Sequence, residues 1–154
     1  AISTYKGVKR RFEYLIKEKE TVYIDDYAHH PTEIKACLTS IKSLYPKRKI
    51  TAIFQPHLYS RTRDFAAGFS EALSLADELI LLDIYPAREL PIEGINSQLL
   101  LDKVTIPNKQ LLQKSELLNC IEKMDIEVLV TMGAGDIDRF VNPIKEVLSK
   151  KDVS

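Results

Sequence analysis

The stretch "DDYAHHPTE" (Asp25–Glu33) places two carboxylates, an aromatic ring and two adjacent histidines within a few residues. His29 and His30 diverge on most backbones, and no HxH or HExxH spacing and no cysteine pair is nearby, which disfavours a metal site. Two other interpretations stay open. The stretch could be a helix start, with His30 or Thr32 near the cap and Asp25 or Asp26 accepting backbone N–H groups, or a turn that binds a ligand.

A second polar stretch, "QPHLYSRTRDF" (Gln55–Phe65), places His57, Arg61 and Arg63 where a predicted strand leads into a helix. Backbone N–H groups at a helix start and guanidinium groups favour an anion, because arginine binds a carboxylate or phosphate through two parallel hydrogen bonds. The alternative is a solvated turn in which Arg63 pairs with a nearby acid.

The stretch "MGAGD" joins a predicted buried strand to a helix through Gly133, Ala134 and Gly135. Glycine lets the backbone approach a ligand closely at the start of a helix. The alternative is a tight turn with Asp136 as the cap. The sequence has no GxxxxGK[ST] motif, so this chain does not cradle ATP phosphates in the manner of a P-loop.

Hydrophobic patterning predicts the elements that position these stretches. Phe12, Tyr14 and Ile16 alternate along the chain, which predicts a half-exposed strand, and "TVYID" predicts a second strand after a polar turn. From Pro31 the apolar residues recur at helical spacing, and proline suits the first turn of a helix. The compact run "KITAIF" predicts a strand buried in a parallel sheet.

The second half of the chain continues this alternation. Phe65, Phe69, Leu73 and Ala76 predict one amphipathic helix. The remaining predicted elements are the strand "ELILLDIY", a short helix near Ser97–Asp102, a helix over Ser115–Met124, the strand "EVLVTM" and a last helix. Such an order predicts an α/β fold with a mostly parallel sheet, helices on both faces and an N-terminal strand pair. Because ligands bind at the carboxyl ends of parallel strands, the polar stretches are predicted to share one site.

The composition is ordinary for a soluble domain. The chain has 154 residues, 45% of them hydrophobic, which allows one domain with a sizeable core. Lys+Arg and Asp+Glu number 22 each, which excludes the broad basic field of a non-specific nucleic-acid binder, although "KGVKRR" (Lys6–Arg11) is locally basic. Cys37 and Cys120 fall in apolar helical patterns and are expected to be free, as in a reduced intracellular protein. No apolar run reaches the roughly 18 residues of a membrane span.

Five segments in this order resemble the C-terminal domain of the Mur ligases, the ATP-dependent amide-forming enzymes of peptidoglycan precursor synthesis. They are "GVKRRFE", "DDYAHHPTE", "FQPHLYSRTRDF", "DIYPARE" and "MGAGDI", which together span Gly7 to Ile137. "HLYSRTRDF" is most similar to the member that adds L-alanine to UDP-N-acetylmuramate, and the DD-aromatic-AHHP turn also resembles the ligase that recycles a murein tripeptide. The resemblance implies that residues 1–154 are one Rossmann-like domain that completes the ATP and amino-acid sites. It also implies that the UDP-binding and central P-loop ATPase domains are absent from this chain.

The resemblance further implies the chemistry and the partners. In the family, ATP phosphorylates a substrate carboxylate, and an amine then attacks the acyl phosphate. ATP and Mg²⁺ are the implied cofactors, and the absent central domain holds most of the Mg²⁺ ligands. The implied partners are L-alanine, UDP-N-acetylmuramate and the protein's own central domain, in the bacterial cytoplasm and without nucleic acid or membrane. The isolated chain is expected to fold but not to turn over ATP.

Individual roles also follow from the resemblance. Arg11 matches the arginine of the "RFE" motif and is expected to approach the ATP phosphates, and Asp26 matches the aspartate that holds the ATP ribose. Near the alanine and muramoyl carboxylate the resemblance places Tyr27, His29, His57 and Arg61. Arg61 suits the carboxylate of alanine, and the histidines could orient the substrate or move the proton of the amine, with His29 the one predicted to be catalytic. Backbone contacts are implied for Gly133, Ala134 and Gly135. His30 is expected to be structural.

A second class of function stays open at this point. The chain contains no complete catalytic set of its own. A free-standing α/β module that binds a nucleotide or an anionic metabolite without catalysis would share the same polar strand ends.

Overall fold

Six strands form one sheet in the order β1-β2-β6-β3-β4-β5. The strands are β1 (Glu13–Lys17), β2 (Val22–Asp26), β3 (Ile50–Phe54), β4 (Glu78–Leu82), β5 (Lys109–Leu112) and β6 (Val128–Met132). β1 pairs with β2 in the antiparallel direction, and every other neighbouring pair is parallel. The structure, a computed structural model, describes residues 11–153. The basic cluster at Lys6–Arg11 and the segment that begins at Gly7 therefore lie outside the described residues except at their C-terminal ends.

Helices cover both faces of this sheet. In the described residues they are α1 (Pro31–Leu44), α2 (Tyr59–Asp64), α3 (Ala66–Leu73), α4 (Ser97–Lys103), α5 (Lys114–Lys123) and α6 (Val141–Val153), with a 3₁₀-helix (Asp136–Phe140) before α6. One core layer packs α1, α3 and α4 against the sheet through side chains such as Leu38 and Phe69. The opposite layer packs α5, the 3₁₀-helix and α6 through side chains such as Leu117 and Ile144. The predicted α/β fold, with its N-terminal strand pair, is confirmed.

The strand pair differs from the predicted alternation at one point. The register between β1 and β2 shifts between Tyr14 and Ile16. As a result, Phe12 and Tyr14 pack on the α1 side of the sheet, whereas Ile16 packs on the α6 side. An extra residue in one strand reverses the face of the side chains that follow it, and a simple period of two does not reveal such an irregularity.

The helix predicted through Phe65 is divided in two. Phe65 ends α2 and precedes α3, with a backbone conformation outside the helical range (φ −119°, ψ 23°). Its side chain is 47% exposed, whereas Phe69 and Leu73 are buried. The ring instead lies 6.1 Å from the ring of His30, between centroids, so Phe65 belongs to the surface near the strand ends and not to the core.

Two smaller outcomes concern β5 and the cysteines. β5 was not predicted, because it has only four residues, and its sequence "KQLL" is only partly buried at the edge of the sheet. Cys37 and Cys120 are both free, as expected, but Cys120 is only partly buried.

Within residues 11–153, no helix combines the length and the apolar character that crossing a membrane requires.

Candidate functional site at the strand ends

The polar stretches meet because β6 lies between β2 and β3, although it is the last strand in sequence. Backbone hydrogen bonds continue past the strands and tie the loops together. The N–H of Gln55 donates to the carbonyl of Met132 (3.1 Å), and the N–H of Tyr85 donates to the carbonyl of Pro56 (2.8 Å). The carboxyl ends of β2, β6, β3 and β4 therefore form one continuous edge, as expected for a ligand site in an α/β sheet.

The glycine turn after β6 packs against its neighbours without room for side chains. Gly133 has φ +143°, and a Cβ atom there would lie 2.9 Å from the carbonyl oxygen of Gln55. At Gly135, a Cβ atom would lie 2.7 Å from both Cβ and Cγ of Tyr85. These glycines are thus explained by close packing of three loops, and the same packing exposes backbone at the cleft described below.

A buried amide and an ion pair fix this turn. The Gln55 side chain, in a residue only 1% exposed, donates from Nε2 to Asp136 (2.6 Å) and accepts at Oε1 from the N–H of Ile137 (3.0 Å). Lys114, at the start of α5, donates to the other oxygen of Asp136 (2.6 Å). Burial alone would raise the pKa of Asp136, but the bonds from Lys114 and Gln55 outweigh it and leave the pKa below its ordinary value. Asp136 is therefore a link between β3, β6 and α5, and the cap of the 3₁₀-helix is Gly135.

The Asp26 carboxylate holds the segment before β1 and the turn after β2 together. Its Oδ2 accepts the N–H of Phe12 (3.0 Å) and its Oδ1 accepts the N–H of Ala28 (2.8 Å). Burial raises the pKa of Asp26 above its ordinary value, although these two bonds and a hydrogen bond with Cys37 oppose the shift. The carboxylate thus satisfies backbone groups, as the helix-start interpretation expected of one of these aspartates. A carboxylate has about four acceptor positions, so this role and ligand binding are compatible.

A cleft with a volume of ≈ 780 Å³ opens beside Asp25 and Tyr27, the neighbours of Asp26 in sequence. Four of the predicted site residues line it, namely Arg11, Tyr27, Ala134 and Gly135. Four further polar residues line it that were not predicted as site residues, namely Glu13, Asp25, Asp138 and Asn142. Asp25 is held in place by the hydroxyl of Thr131, which donates to it (2.7 Å). The cleft therefore offers a guanidinium, several carboxylates and an amide to a polar ligand.

His29 presents a defined tautomer. Its Nδ1 lies 2.9 Å from the carbonyl oxygen of Tyr27. Because a carbonyl oxygen only accepts, Nδ1 carries the proton, and in the neutral ring Nε2 keeps its lone pair. The ring also packs edge-on against the Tyr27 ring, with centroids 5.1 Å apart. His29 can therefore accept a proton or a hydrogen bond at Nε2.

His57 presents the opposite tautomer. Its Nδ1 lies 3.1 Å from Nη1 of Arg61. A guanidinium only donates, so Nδ1 is the accepting nitrogen and Nε2 carries the proton of the neutral ring. Burial lowers the pKa of His57, and the charge of Arg61 lowers it further, which keeps the ring neutral near pH 7. The ring of His57 lies 6.4 Å from that of His29, between centroids. One imidazole thus offers a lone pair and its neighbour offers an N–H.

Arg61 and Arg63 lie within α2 and not in the loop before it, and they have different partners. Arg61 contacts His57, while Arg63 pairs with Asp64 (2.8 Å) at the surface. The surface alternative, an arginine paired with an acid, therefore describes Arg63 but not Arg61. A guanidinium has five N–H donors, and the bond to His57 uses one of those on Arg61.

His30 begins α1 as its N-cap residue, which is the structural position expected for it. Oε1 of Glu33 accepts the backbone N–H groups of both His29 and His30 (3.1 Å each) and so completes the helix start. Burial lowers the pKa of His30, and the charge of Arg61 adds to this effect. Within "DDYAHHPTE", the segment from His30 to Glu33 is therefore a capped helix start, whereas the His29 ring lies next to the loop that carries His57.

The structure divides the predicted residues into two adjoining groups. His29, His57 and Arg61 form one cluster, and Arg11, Tyr27, Ala134 and Gly135 line the cleft. Tyr27 joins the two groups through its contact with His29. Asp26 and Gly133 are not among the residues that line the cleft: Asp26 bonds to backbone N–H groups, and Gly133 packs against Gln55. The sequence did not indicate Gln55, Tyr85 or Lys114, although a polar side chain directly after the apolar run "KITAIF" was a signal for Gln55. Among the described residues, no group of three or more His, Cys, Asp or Glu side chains is placed to hold a metal ion.

The neutral state of His57 predicts a pH dependence of stability. The unfolded ring takes up a proton below about pH 6.5, whereas the folded ring resists it, so the free energy of unfolding falls as pH drops through that range. The pKa of His30 is shifted in the same direction. We expect His57→Gln to reduce the loss of stability between about pH 7.5 and about pH 5.5, measured by urea unfolding at both pH values. Equal losses in the wild type and the variant would contradict the assigned state of His57.

Comparison with known proteins assigns this α/β domain to a class of ligase. A family model described as "Mur ligase, glutamate ligase domain" matches residues 10–136, and the chain belongs to this Mur ligase family. The predicted resemblance is confirmed.

Particular relatives share one activity in their names. The chain is 57% identical to the UDP-N-acetylmuramate–L-alanine ligase of Flavobacterium johnsoniae and 58% identical to that of Flavobacterium psychrophilum, over 97% and 98% of its own length. It spans only 33% and 34% of those proteins, about a third of their length. The crystal structure of the UDP-N-acetylmuramate–alanine ligase of Thermotoga maritima superposes with a TM-score of 0.73 at 28% identity, covering 92% of this chain and 30% of that one. A murein peptide ligase from Psychrobacter arcticus has the same fold, with a TM-score of 0.72 at 21% identity over 91% of this chain and 30% of the other.

Proposed function

We propose that this chain is the C-terminal domain of an ATP-dependent ligase that joins L-alanine to UDP-N-acetylmuramate in peptidoglycan precursor synthesis. The observation that carries the proposal is identity above one half, over nearly the whole chain, to ligases of that name. The cluster of His29, His57 and Arg61 supports it, because these groups complement an amino acid. The central ATPase domain, the UDP-binding domain and a cytoplasmic location belong to the same proposal.

We place the amino acid of this proposal at the histidine cluster. Arg61 pairs with the carboxylate of L-alanine, and its own bond to His57 fixes the direction of the guanidinium. His29 accepts, at Nε2, the proton that the amine loses when it attacks the activated carboxyl group. His57 donates its Nε2 proton in a hydrogen bond to a carboxylate oxygen. Opposite tautomers thus match a substrate that carries both a proton to lose and oxygens to bind.

We place the nucleotide of this proposal at the cleft that Arg11 lines. When bound, ATP supplies the phosphoryl group that activates the carboxylate of UDP-N-acetylmuramate. Arg11 faces the phosphates, where its charge offsets charge that develops during transfer, and Asp26 accepts hydroxyl groups of the ribose. Backbone N–H groups of Ala134 and Gly135 add donors along the same wall. Mg²⁺ accompanies ATP in this proposal, and most of its ligands are expected in the central ATPase domain.

The test uses the full-length protein that contains this chain. Phosphate release is measured with ATP, UDP-N-acetylmuramate and L-alanine, and with each omitted in turn. Dependence on all three is expected. Dependence on a murein tripeptide in place of L-alanine would assign the recycling reaction instead, and binding without turnover would favour a non-catalytic module.

Asp26→Asn tests the nucleotide half of the proposal. Loss of a charged acceptor costs about 1.5–3 kcal/mol, so KM for ATP is expected to rise by about tenfold or more while KM for L-alanine changes little. Asp83→Asn is the matched control, because Asp83 is an exposed aspartate directly after β4 at the same edge of the sheet. Melting temperatures of both variants separate a folding defect from a binding defect. A normal KM for ATP in a folded Asp26→Asn enzyme contradicts the ribose assignment.

A further inference from the structure

Helix α2 carries Arg61 but lacks a side-chain cap of its own. It has six residues, and its N-cap is Leu58, whose side chain makes no capping bond. Leu58 also has φ 72°, a conformation that leucine rarely adopts. Helices this short are marginal without outside contacts, because nucleation is unfavourable and few bonds follow it. The direction of Arg61 must therefore be fixed from elsewhere in the fold.

Glu89, from the loop after β4, supplies the missing cap. Its Oε1 accepts the backbone N–H of Ser60 (3.1 Å), and its Oε2 accepts the Ser60 hydroxyl in a short hydrogen bond. These bonds lower the pKa of Glu89. A carboxylate is the preferred partner for the first N–H groups of a helix, whose dipole adds to the attraction. Glu89 thus caps α2 across two loops that are 29 residues apart in sequence.

The loop that presents Glu89 is itself tightly turned. The N–H of Glu89 donates to the carbonyl of Pro86 (2.9 Å), which closes a turn around Ala87. Ala87 has φ 54°, an uncommon conformation for a residue with a Cβ atom. Residues in such conformations persist where the surrounding contacts over-determine them, and they cluster at functional sites.

Tyr85, at the start of the same loop, holds the other end of the cluster. Its ring stacks on His57, with centroids 5.8 Å apart and planes 15° from parallel. Its carbonyl accepts the N–H of Leu58 (2.9 Å), directly after His57. The segment from Tyr85 to Glu89 therefore contacts both sides of the turn that carries His57 and Arg61.

From this geometry we propose that Glu89 is a positioning residue for Arg61 and His57, with Tyr85 as its support on His57. Glu89 holds the start of α2, which sets the direction of Arg61 and, through the Arg61–His57 bond, the tautomer of His57. The kinetic part of this proposal rests on the proposed function, while the structural part does not. Because Glu89 bonds to Ser60, it acts on Arg61 through the start of α2.

The experiment compares Glu89→Ala with Glu93→Ala, an exposed glutamate in the same loop, in the full-length enzyme. Glu89→Ala is expected to raise KM for L-alanine by about tenfold, the value of a lost charge-assisted bond, with KM for ATP within about twofold of wild type. Glu89→Gln keeps one acceptor, so its KM for L-alanine is expected to lie between those of the wild type and Glu89→Ala. Glu93→Ala is expected to behave as wild type. Equal losses toward ATP and L-alanine, or no loss in a folded variant, would overturn the proposal.

A second readout follows the histidine directly. In the ¹⁵N NMR spectrum of the 154-residue chain, His57 is expected to show the tautomer with the proton on Nε2, and Glu89→Ala to convert it to a mixture. Ser60→Ala, which removes the hydroxyl but keeps the backbone N–H, is a milder variant should Glu89→Ala fail to fold, and a smaller shift toward the mixture is expected. Unchanged His57 signals in a folded Glu89→Ala or Ser60→Ala chain would overturn the positioning role. If phosphate release by the wild-type enzyme does not depend on L-alanine, the proposed function is wrong, and these spectra still test the role of Glu89.

Discussion

Arg61→Ala is expected to lower kcat/KM for L-alanine about 10²–10³-fold in the full-length enzyme, because a guanidinium–carboxylate pair provides two charge-assisted hydrogen bonds. The residue is held by His57 within a six-residue helix, so its donors are directed before the substrate arrives. Loss of Arg61 also removes one cause of the lowered pKa of His57, which is expected to move back toward its ordinary value. Both effects are expected together, one in the kinetics and one in a pH titration of the His57 ring.

Arg63 provides a matched control for this prediction. It lies two residues further along the same helix and pairs with Asp64 at the surface, so Arg63→Ala is expected to leave kcat/KM within about twofold, since exposed ion pairs contribute little. Arg61→Lys is expected to recover only part of the activity, because lysine keeps the charge but not the planar fork. A similar loss for Arg61→Ala and Arg63→Ala, or an effect on ATP alone, would contradict the assignment of Arg61 to the amino acid.

Gly133→Ala is expected to destabilise the 154-residue chain by about 3 kcal/mol or more, the largest stability effect that we predict. Two costs combine at this residue. An alanine at φ +143° is strained, and its Cβ would lie 2.9 Å from the Gln55 carbonyl and 3.3 Å from Cγ2 of Ile137. The first of these atoms is backbone in the loop after β3, so relief requires movement of that loop. Urea unfolding of the purified chain measures the difference.

Gly94→Ala separates the two costs. Gly94 has φ +80°, but a Cβ atom there would meet nothing within 4 Å. The variant is therefore expected to lose only about 1–2 kcal/mol, the cost of the left-handed backbone conformation. The excess loss in Gly133→Ala then reports the close contact between the glycine turn and Gln55 together with the greater backbone strain at φ +143°. Equal losses in the two variants would show that the turn has room to relax.

Much of the fold was predictable from local patterns. The buried strands are continuous apolar runs, and α1 begins at a proline with apolar residues at helical spacing, so each is determined by residues adjacent in sequence. The strand β5 and the shift at Tyr14 were missed for the same reason, since a four-residue edge strand and one inserted residue barely alter the local period. Phe65 was misassigned to a core face because the break between α2 and α3 depends on tertiary contacts.

The location of the candidate site was more predictable than the contacts between its side chains. His29, Arg61 and the glycine turn stand out because polar residues directly after buried strands of a parallel sheet share one edge. The cap from Glu89, the stack of Tyr85 and the salt bridge from Lys114 to Asp136 join residues far apart in sequence. Nothing in the spacing of those residues indicates a partner, so only the structure revealed these contacts.

The sequence by itself determined which chemical groups lie at the strand ends, because strand and helix periods depend on neighbouring residues. For "DDYAHHPTE" it left a capped helix start and a ligand turn as alternatives. The tertiary structure showed the capped helix start, with His30 and Glu33, and it brought His29 beside His57, where the ligand turn stays a proposal. Only the tertiary structure placed β6 between β2 and β3, and so brought the glycine turn against Gln55 and Tyr85. The order of strands and the caps that cross between loops depend on long-range packing, which the local pattern of a single chain does not encode.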